Sequence, residues 1–388
     1  MTKKNTVINT YIFYMVIALY WFSTNTYIPI ITPYLKDLNI SESDIGLIMG
    51  AYGLMMVLVQ FPLGILSDKL NKRKIFIVIG LFLSAVSSFG MFFAKDPLIF
   101  VLCRGLTGIA GSSWVIMTIL FSSYFSKDEA AGKISFLTAA NNAGQLVAMI
   151  SAGIISTFLF TKYTFLAGAI GGILGTILSL FIKENKIEEK KPPKLSDIML
   201  LLNDKTLILC AVLCLVVQFI AFGATNTFTS QVAKNLGAND MELSMISTIM
   251  TIPRILSSMI CGYLLIKKVK SRNIIILSFL ITALSCIIIP ISSNIIMIYI
   301  GAFLAGTGTG TAYAVLIGLC TKNIDDRLKS TAMGICQTIF CLGTFLGPLV
   351  IGNVIEMYSL KAGFIFSSMF AILASLYVFY TKAGDLLE

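Results

Sequence analysis

Long apolar runs recur along this chain, and they constrain its fold more than any other feature. Each run extends over about 20 residues, the length of helix needed to cross roughly 30 Å of hydrocarbon. Only short polar segments separate the runs, and the chain as a whole is 57% hydrophobic and 12% charged. A soluble domain needs more polar surface than this, so we expect most of the chain to lie in lipid.

Helices, rather than strands, account for these runs. Residues 274–291 and 364–380 are apolar on every face, whereas strands of a membrane barrel alternate apolar and polar positions over about ten residues. The first run follows Lys3 and Lys4 without a cleavage site, so we expect it to be retained. We predict an all-α membrane protein whose twelve transmembrane helices span 10–31, 45–66, 75–93, 98–121, 134–158, 165–182, 207–230, 243–266, 274–291, 295–319, 331–355 and 362–380.

Basic residues are distributed unevenly between alternate loops. Of the 29 Lys and Arg residues, 22 fall on the side of the N-terminus, 5 on the other side and 2 within spans. This positive-inside pattern predicts a multi-pass protein of the cytoplasmic membrane with both termini in the cytoplasm. Topology thus explains the net charge of +10, and we expect a lipid bilayer, but no nucleic acid, among the partners.

The two halves of the chain resemble each other at a nearly fixed offset. Residues 24–27 read Thr-Asn-Thr-Tyr and residues 225–228 read Thr-Asn-Thr-Phe, and several glycines repeat at offsets of 198 or 199. Duplicated bundles are a recurrent plan of transporters. We therefore predict two pseudo-symmetric six-helix bundles, at residues 1–183 and 206–388. A cytoplasmic linker at residues 184–205 joins them.

The loop after the second span contains the most informative motif, at Gly64, Leu66, Asp68, Arg73 and Lys74. It resembles the signature Gly-x-Leu-x-Asp-x-x-x-x-Arg-Lys of the major facilitator superfamily, with Asn71 replacing the usual glycine. The motifs are nearest to the family's twelve-helix drug:proton antiporter branch. The resemblance implies alternating access, in which Gly64, Asp68 and Arg73 form a latch that opens as the halves move. Alternatively, these charges only mark a cytoplasmic loop.

Two arginines lie within predicted spans, where a charge costs on the order of 3 kcal/mol unless it meets a partner or a polar cavity. Arg104, with Gly108 four residues later, is similar to a second signature of the family, which associates such an arginine with coupling or substrate contact. Snorkelling to the outer interface is the alternative. Arg254 is near the middle of the eighth span, and both arginines could bind a carboxylate or another anion.

Small residues also mark two predicted packing faces. Residues 144–153 resemble the glycine-rich fifth-helix motif of efflux members but lack its proline, whereas Gly347 and Pro348 in the eleventh span keep the fuller form. Glycines at such spacing let helices approach closely. We therefore assign Gly108, Gly144, Gly347 and Pro348, with the loop motif, to the conformational switch.

Polar and aromatic residues midway along several spans are candidates for the substrate site, because such sites lie between the two halves of a bundle. Single polar residues also serve as contacts between helices, so both interpretations stay open. Besides Arg104 and Arg254, the predicted substrate-binding residues are Trp21, Asn25, Tyr27, Asn142, Gln145 and Asn226.

The sequence says less about ion coupling of transport and about cofactors. The chain has no histidine, and no Asp or Glu occupies the centre of a predicted span, so the usual proton carriers are missing. A coupling proton or counter-ion remains compatible with Asp68, Asp44 or Glu356. The eight cysteines show no disulfide or metal spacing. We expect no cofactor, no metal and no catalytic residue.

These observations leave two transport hypotheses. The first is a monomeric secondary transporter that exports a small organic solute from the cell. The second is an importer or exchanger of a small organic anion bound by Arg104 and Arg254. A membrane enzyme is disfavoured because the chain has no His, no paired carboxylates within the predicted spans and no metal-ligand cluster. A scaffold is disfavoured because almost nothing lies outside lipid.

Overall fold

The computed structural model describes residues 3–184, 195–261, 269–325 and 328–380, and all regular structure in these ranges is helical. The predicted all-α fold class is confirmed. The helices are α1 (Lys3–Asn25), α2 (Ile31–Asp37), α3 (Glu42–Leu70), α4 (Lys74–Phe93), α5 (Pro97–Ser122), α6 (Lys127–Phe158), α7 (Tyr163–Ser179), α8 (Leu195–Leu202), α9 (Lys205–Ile220), α10 (Asn226–Asn235), α11 (Asp240–Ile260), α12 (Ser271–Ile291), α13 (Ile295–Leu319), α14 (Lys329–Met357) and α15 (Leu360–Tyr380).

Ten helical segments in the described ranges are long and apolar enough to cross a membrane, with α9 and α10 counted as one segment. Helix α7 is apolar but has only 17 residues. Helix α6 is long, at 32 residues, but Asn141, Asn142 and Gln145 make it less apolar. These two helices and the ten segments match the twelve predicted spans in order.

The first predicted span is divided in the structure. Helix α1 ends at Asn25, a turn follows over residues 26–30, and the short helix α2 continues to Asp37. Pro29 lies in that turn, where it lacks a backbone N–H and restricts the residue before it to extended conformations. The predicted span of 10–31 therefore runs past the real end of the helix.

A π-helical segment, Ala221–Thr225, joins α9 to α10 within the seventh span. The backbone N–H of Asn226 bonds to the carbonyl of Ala221, five residues earlier, and the Thr225 hydroxyl donates to the same oxygen at 3.1 Å. Such insertions often occur at functional sites. Because the polypeptide stays helical, the span continues through this segment.

Two compact units can be separated by their contacts. Unit 1 comprises the described residues of Met1–Tyr34, Met55–Lys190 and Asp240–Met245, and unit 2 those of Leu35–Leu54, Lys191–Asn239 and Ile246–Glu388. In unit 1, α1 packs on α6 and α7, and α4 packs on α5 and α7. In unit 2, α9 packs on α14, and α12 packs on α13 and α15. The predicted halves come from sequence repetition, and their boundaries stay a prediction.

An aromatic cluster fills the core of unit 1 near the start of α1. Phe13 and Phe121 are fully buried, with ring centroids 5.3 Å apart, and Tyr124 meets Phe13 edge to face at 6.0 Å. Aromatic pairs at such distances add attraction beyond the burial of their area. They hold α1 against the end of α5, which places the next turns of both helices side by side.

Candidate functional site

The guanidinium of Arg104 lies inside unit 1, on helix α5. Only 2% of Arg104 is exposed, and its Nη1 donates to the hydroxyl of Tyr27 at 3.3 Å. Its Cζ also lies 5.9 Å from the centroid of the Tyr27 ring, within the range of a cation–π interaction. A buried charge needs such partners, so the predicted residues Tyr27 and Arg104 form one structural unit.

Hydroxyl groups extend this contact along α5 and on to α4. The Tyr27 and Thr107 hydroxyls are 3.5 Å apart, and those of Thr107 and Ser87 are 2.6 Å apart. Ser87 also donates to the backbone carbonyl of Cys103 at 2.6 Å. Neither Thr107 nor Ser87 was predicted as a site residue, because a small hydroxyl on an apolar helix gives no signal of its own. The chain of hydroxyls connects the turn after α1, which contains Tyr27, and helix α4 to Arg104 on α5.

The only two tryptophans in the chain contact each other in unit 1. Trp21 on α1 and Trp114 on α5 have ring centroids 5.9 Å apart at an edge-to-face angle of 74°, and both are half-buried. The indole N–H of Trp21 is buried and has no hydrogen-bond partner among the described residues. An aromatic ligand with an acceptor would complement this pair.

Polar amides lie close to the same level. Asn25 donates to the Trp21 carbonyl at 2.9 Å, and on α6 Gln145 donates to Asn141 at 2.6 Å. Asn142 is also partly buried on α6.

Gly144 sets the register between α1 and α6. A methyl group at Gly144 would overlap the carbonyl of Ala18, so α1 and α6 cross in contact here, one turn from Trp21. Gln145 therefore lies near the depth of Trp21 in the packed helix pair.

The remaining predicted substrate residues, Asn226 and Arg254, belong to unit 2 and are partly buried. Gln218 on α9 donates to Thr344 on α14 at 3.4 Å, in the region where α9 meets α14. A Cβ at Gly347 would lie 3.0 Å from the backbone nitrogen of Gly223 in the π-helical segment. Gly347 therefore permits the close approach of α14 to this segment.

Pro348 lies inside α14, and Gly108 is buried in α5, where its carbonyl accepts a hydrogen bond from Ser112 at 3.2 Å. These two predicted switch residues thus lie within continuous helices. Their place in a conformational switch stays a prediction.

Asp68 and Arg73, which are predicted to form a latch, make an ion pair between the end of α3 and the start of α4, and their role in a conformational switch stays a prediction. Arg73 Nη2 lies 2.5 Å from Asp68 Oδ1, and Gly64, one turn earlier, has open space where a side chain would be. Asn71 has φ of 48°, the left-handed conformation that glycine adopts most easily and asparagine next. Asn71 thus keeps the turn that the family signature makes with glycine. Residues 262–268 of the second copy lie outside the described residues.

Glu184 is a third charged residue at this turn, and no sequence pattern pointed to it. Its Oε1 accepts hydrogen bonds from the backbone N–H of Arg73 and, at 3.1 Å, from that of Lys74. The first N–H groups of a helix have no partners within the helix and attract a carboxylate. Glu184, just after α7, therefore caps α4.

Two carboxylates at predicted outer ends also bond to neighbouring helices. In unit 1, Asp240 at the start of α11 accepts from Ser156 and, at 3.2 Å, from Thr161. In unit 2, Glu356 near the end of α14 accepts from the backbone N–H of Ser43 at 2.8 Å. Glu356 was among the carboxylates considered for coupling, whereas Asp240 was not, because in the sequence it falls in a predicted short loop between two spans.

The described residues were also compared with the ligand sets that hold metal ions. Within the part of the chain that the structure describes, no three or more His, Cys, Asp or Glu side chains are placed to hold a metal ion. The eight cysteines are all buried, and none of them forms a disulfide. The Trp21–Trp114 ring pair and the partly buried amides of Asn25, Asn142 and Gln145 are the kinds of side chain that line small-molecule sites.

Comparison with known proteins gives a consistent result. The family model described as Major Facilitator Superfamily matches residues 13–230 and 211–385. The quinolone resistance protein NorA of Staphylococcus aureus is 25% identical over 361 residues, covering 90% of each chain. The MFS-type transporter MJ1560 of Methanocaldococcus jannaschii is 24% identical over 361 residues, covering 90% of this chain and 91% of its own.

Solved structures share the fold at lower sequence identity. The nucleoside transporter NupG aligns with a TM-score of 0.78 at 16% identity, over 100% of both chains. A bacterial homologue of the human lysosomal transporter Spinster aligns with a TM-score of 0.77 at 12% identity, covering 100% of this chain and 98% of that one.

Proposed function

Because the chain belongs to the major facilitator superfamily, a family of membrane transporters, we propose that it exports small aromatic organic solutes across the cytoplasmic membrane by alternating access. The observation that carries the solute class is the Trp21–Trp114 pair, with its unpartnered indole N–H. The likeness to NorA over 90% of both chains supports export. The distribution of Lys and Arg supports placing both termini in the cytoplasm, and we propose that the chain acts as a monomer.

Binding is expected to use the ring faces of the two tryptophans, with the amides of Asn25 and Gln145 at the edge of the solute. Aromatic residues with a few polar groups are the usual lining of small-molecule sites. Tyr27 and Arg104 then support the site without touching the solute, because the Tyr27 side chain is almost fully buried and its hydroxyl contacts the guanidinium.

Coupling, on this proposal, depends on the ends of the helices. Two of the described carboxylates with hydrogen bonds to a neighbouring helix, Asp240 and Glu356, lie at predicted outer ends. Loss of such a bond when a proton binds would ease separation of the helices there. A counter-ion could act at the same positions.

Intrinsic fluorescence tests the proposal directly, because Trp21 and Trp114 are the only tryptophans. We expect a fluoroquinolone or ethidium to quench the emission of the purified protein saturably. Each single variant, Trp21→Phe and Trp114→Phe, should weaken binding, as measured by equilibrium dialysis. Saturable binding that is unchanged in both variants would refute the proposed site.

The second candidate, an organic anion carrier, depends on Arg254, whose side chain is partly exposed within unit 2. It predicts that a dicarboxylate such as succinate raises the melting temperature of the wild-type protein but not that of Arg254→Gln. Stabilisation by the fluoroquinolone alone would leave export of aromatic solutes as the better account.

A further inference from the structure

The ion pair between Arg73 and Asp68 is not in the best geometry, so it does not by itself fix the orientation of the Arg73 side chain. Asp68 contacts only one guanidinium nitrogen, Nη2, whereas an arginine and a carboxylate in their best geometry form two parallel bonds. The Arg73 Nε is buried and has no hydrogen-bond partner among the described residues. Asp68 itself is exposed, with 65% of its side chain accessible, and an exposed pair contributes little by itself.

The backbone of Arg73, in contrast, is held firmly. Glu184 accepts from the N–H groups of Arg73 and Lys74, which fixes the first turn of α4 on the segment that follows α7. Lys74 returns the contact through its Nζ, which donates to the carbonyl of Leu180 at 2.6 Å. The position of the Arg73 Cα is therefore determined by residues more than 100 positions away in sequence.

A third contact holds Glu184 in place. Tyr124, just after α5, donates its hydroxyl proton to the carbonyl of Lys183 at 2.5 Å. Burial raises the pKa of the Tyr124 hydroxyl, and the nearby Glu184 carboxylate raises it further. The phenol thus remains a donor at physiological pH, so the residue before Glu184 is fixed to the end of α5.

We propose that Glu184 is the positioning residue of the latch: by capping α4 it places Arg73 so that its guanidinium remains buried and meets Asp68. The link from the latch to transport rests on the proposed function, but the positioning itself does not. The positioning by Glu184 and the proposed transport function can therefore fail separately, because the experiment measures amide exchange and side-chain exposure in the absence of solute.

The test uses the full-length protein in lipid nanodiscs and two readouts. Hydrogen exchange followed by mass spectrometry reports the amides of Arg73 and Lys74, and labelling with phenylglyoxal reports exposure of the Arg73 guanidinium. In Glu184→Ala we expect at least tenfold faster exchange at the start of α4 and a severalfold increase in labelling of Arg73. Glu184→Gln should remain near wild type, since its amide oxygen still accepts both bonds.

The matched control is Glu129→Ala. Glu129 is also an exposed glutamate that caps a helix of unit 1, accepting from the backbone N–H of Ser126 at 3.4 Å, but it caps α6. It should change neither readout at Arg73. Faster exchange in Glu184→Ala with Arg73 labelling unchanged would show a purely structural cap and overturn the proposal, as would unchanged exchange at α4.

Discussion

Arg104 places a full positive charge inside unit 1, and its neighbours explain how that charge is accommodated. The Tyr27 hydroxyl accepts from the guanidinium and lies near Thr107, which contacts Ser87. From the sequence, Arg104 and Tyr27 were predicted separately, each as a substrate contact. Their pairing could not be read from the sequence, because 77 positions separate them and only the packing of α1 on its neighbours brings them together.

Replacing Tyr27 with Phe should therefore destabilise the protein by about 1.5–3 kcal/mol, the range for a hydrogen bond to a charged group. Thermal unfolding of the purified variant measures this. Tyr34→Phe is the matched control, since the rings of Tyr27 and Tyr34 both lie 5.4 Å from that of Phe165. Equal losses in the two variants would show that the Arg104 contact contributes nothing.

Asn71 offers a second test at this scale. Its φ of 48° lies in the left-handed region, which costs a residue with a branched Cβ roughly 1–2 kcal/mol. Asn71→Val should lower the melting temperature, whereas Asn71→Gly should preserve or raise it. A valine variant as stable as the glycine variant would contradict the structural role of this turn.

Helices show how far periodicity and length can predict structure. The predicted 75–93 and 295–319 agree with α4 and α13 to within one residue, because their apolar runs are bounded by polar residues. The turn at Pro29 and the π-helical segment were missed, since a hydropathy pattern does not distinguish a turn or an extra residue per turn from continuous helix. Contacts between distant helices were also beyond reach.

Helix α6 provides a matched pair of glycines for testing close packing. Gly144→Ala would overlap the Ala18 carbonyl, whereas Gly132 has open space around the same position. We expect Gly144→Ala to destabilise the protein by about 1–3 kcal/mol through overpacking. Gly132→Ala should instead stabilise the helix by up to about 1 kcal/mol. Denaturation midpoints of the two variants in one detergent decide the matter, and a Gly144 variant no weaker than wild type would count against this crossing.

For the whole molecule, the sequence was sufficient to identify the family and the all-helical fold, because both depend on repeated apolar runs and local motifs. The proximity of Asp68 and Arg73 could be predicted, since the two residues are close in sequence, whereas their role as a latch stays a prediction. Glu184 and Asp240 could not, because their partners come from other helices. The class of solute and the direction of transport depend on such long-range contacts, and both are therefore proposals.

The most direct test of the central claim is the steady-state accumulation of a fluorescent fluoroquinolone in intact bacterial cells that express the chain. Trp21→Ala, at matched membrane abundance, and an empty vector serve as controls. Our account predicts several-fold lower accumulation in cells with the wild-type chain than in either control. Equal accumulation in all three, or higher accumulation with the wild-type chain, would contradict export of aromatic solutes.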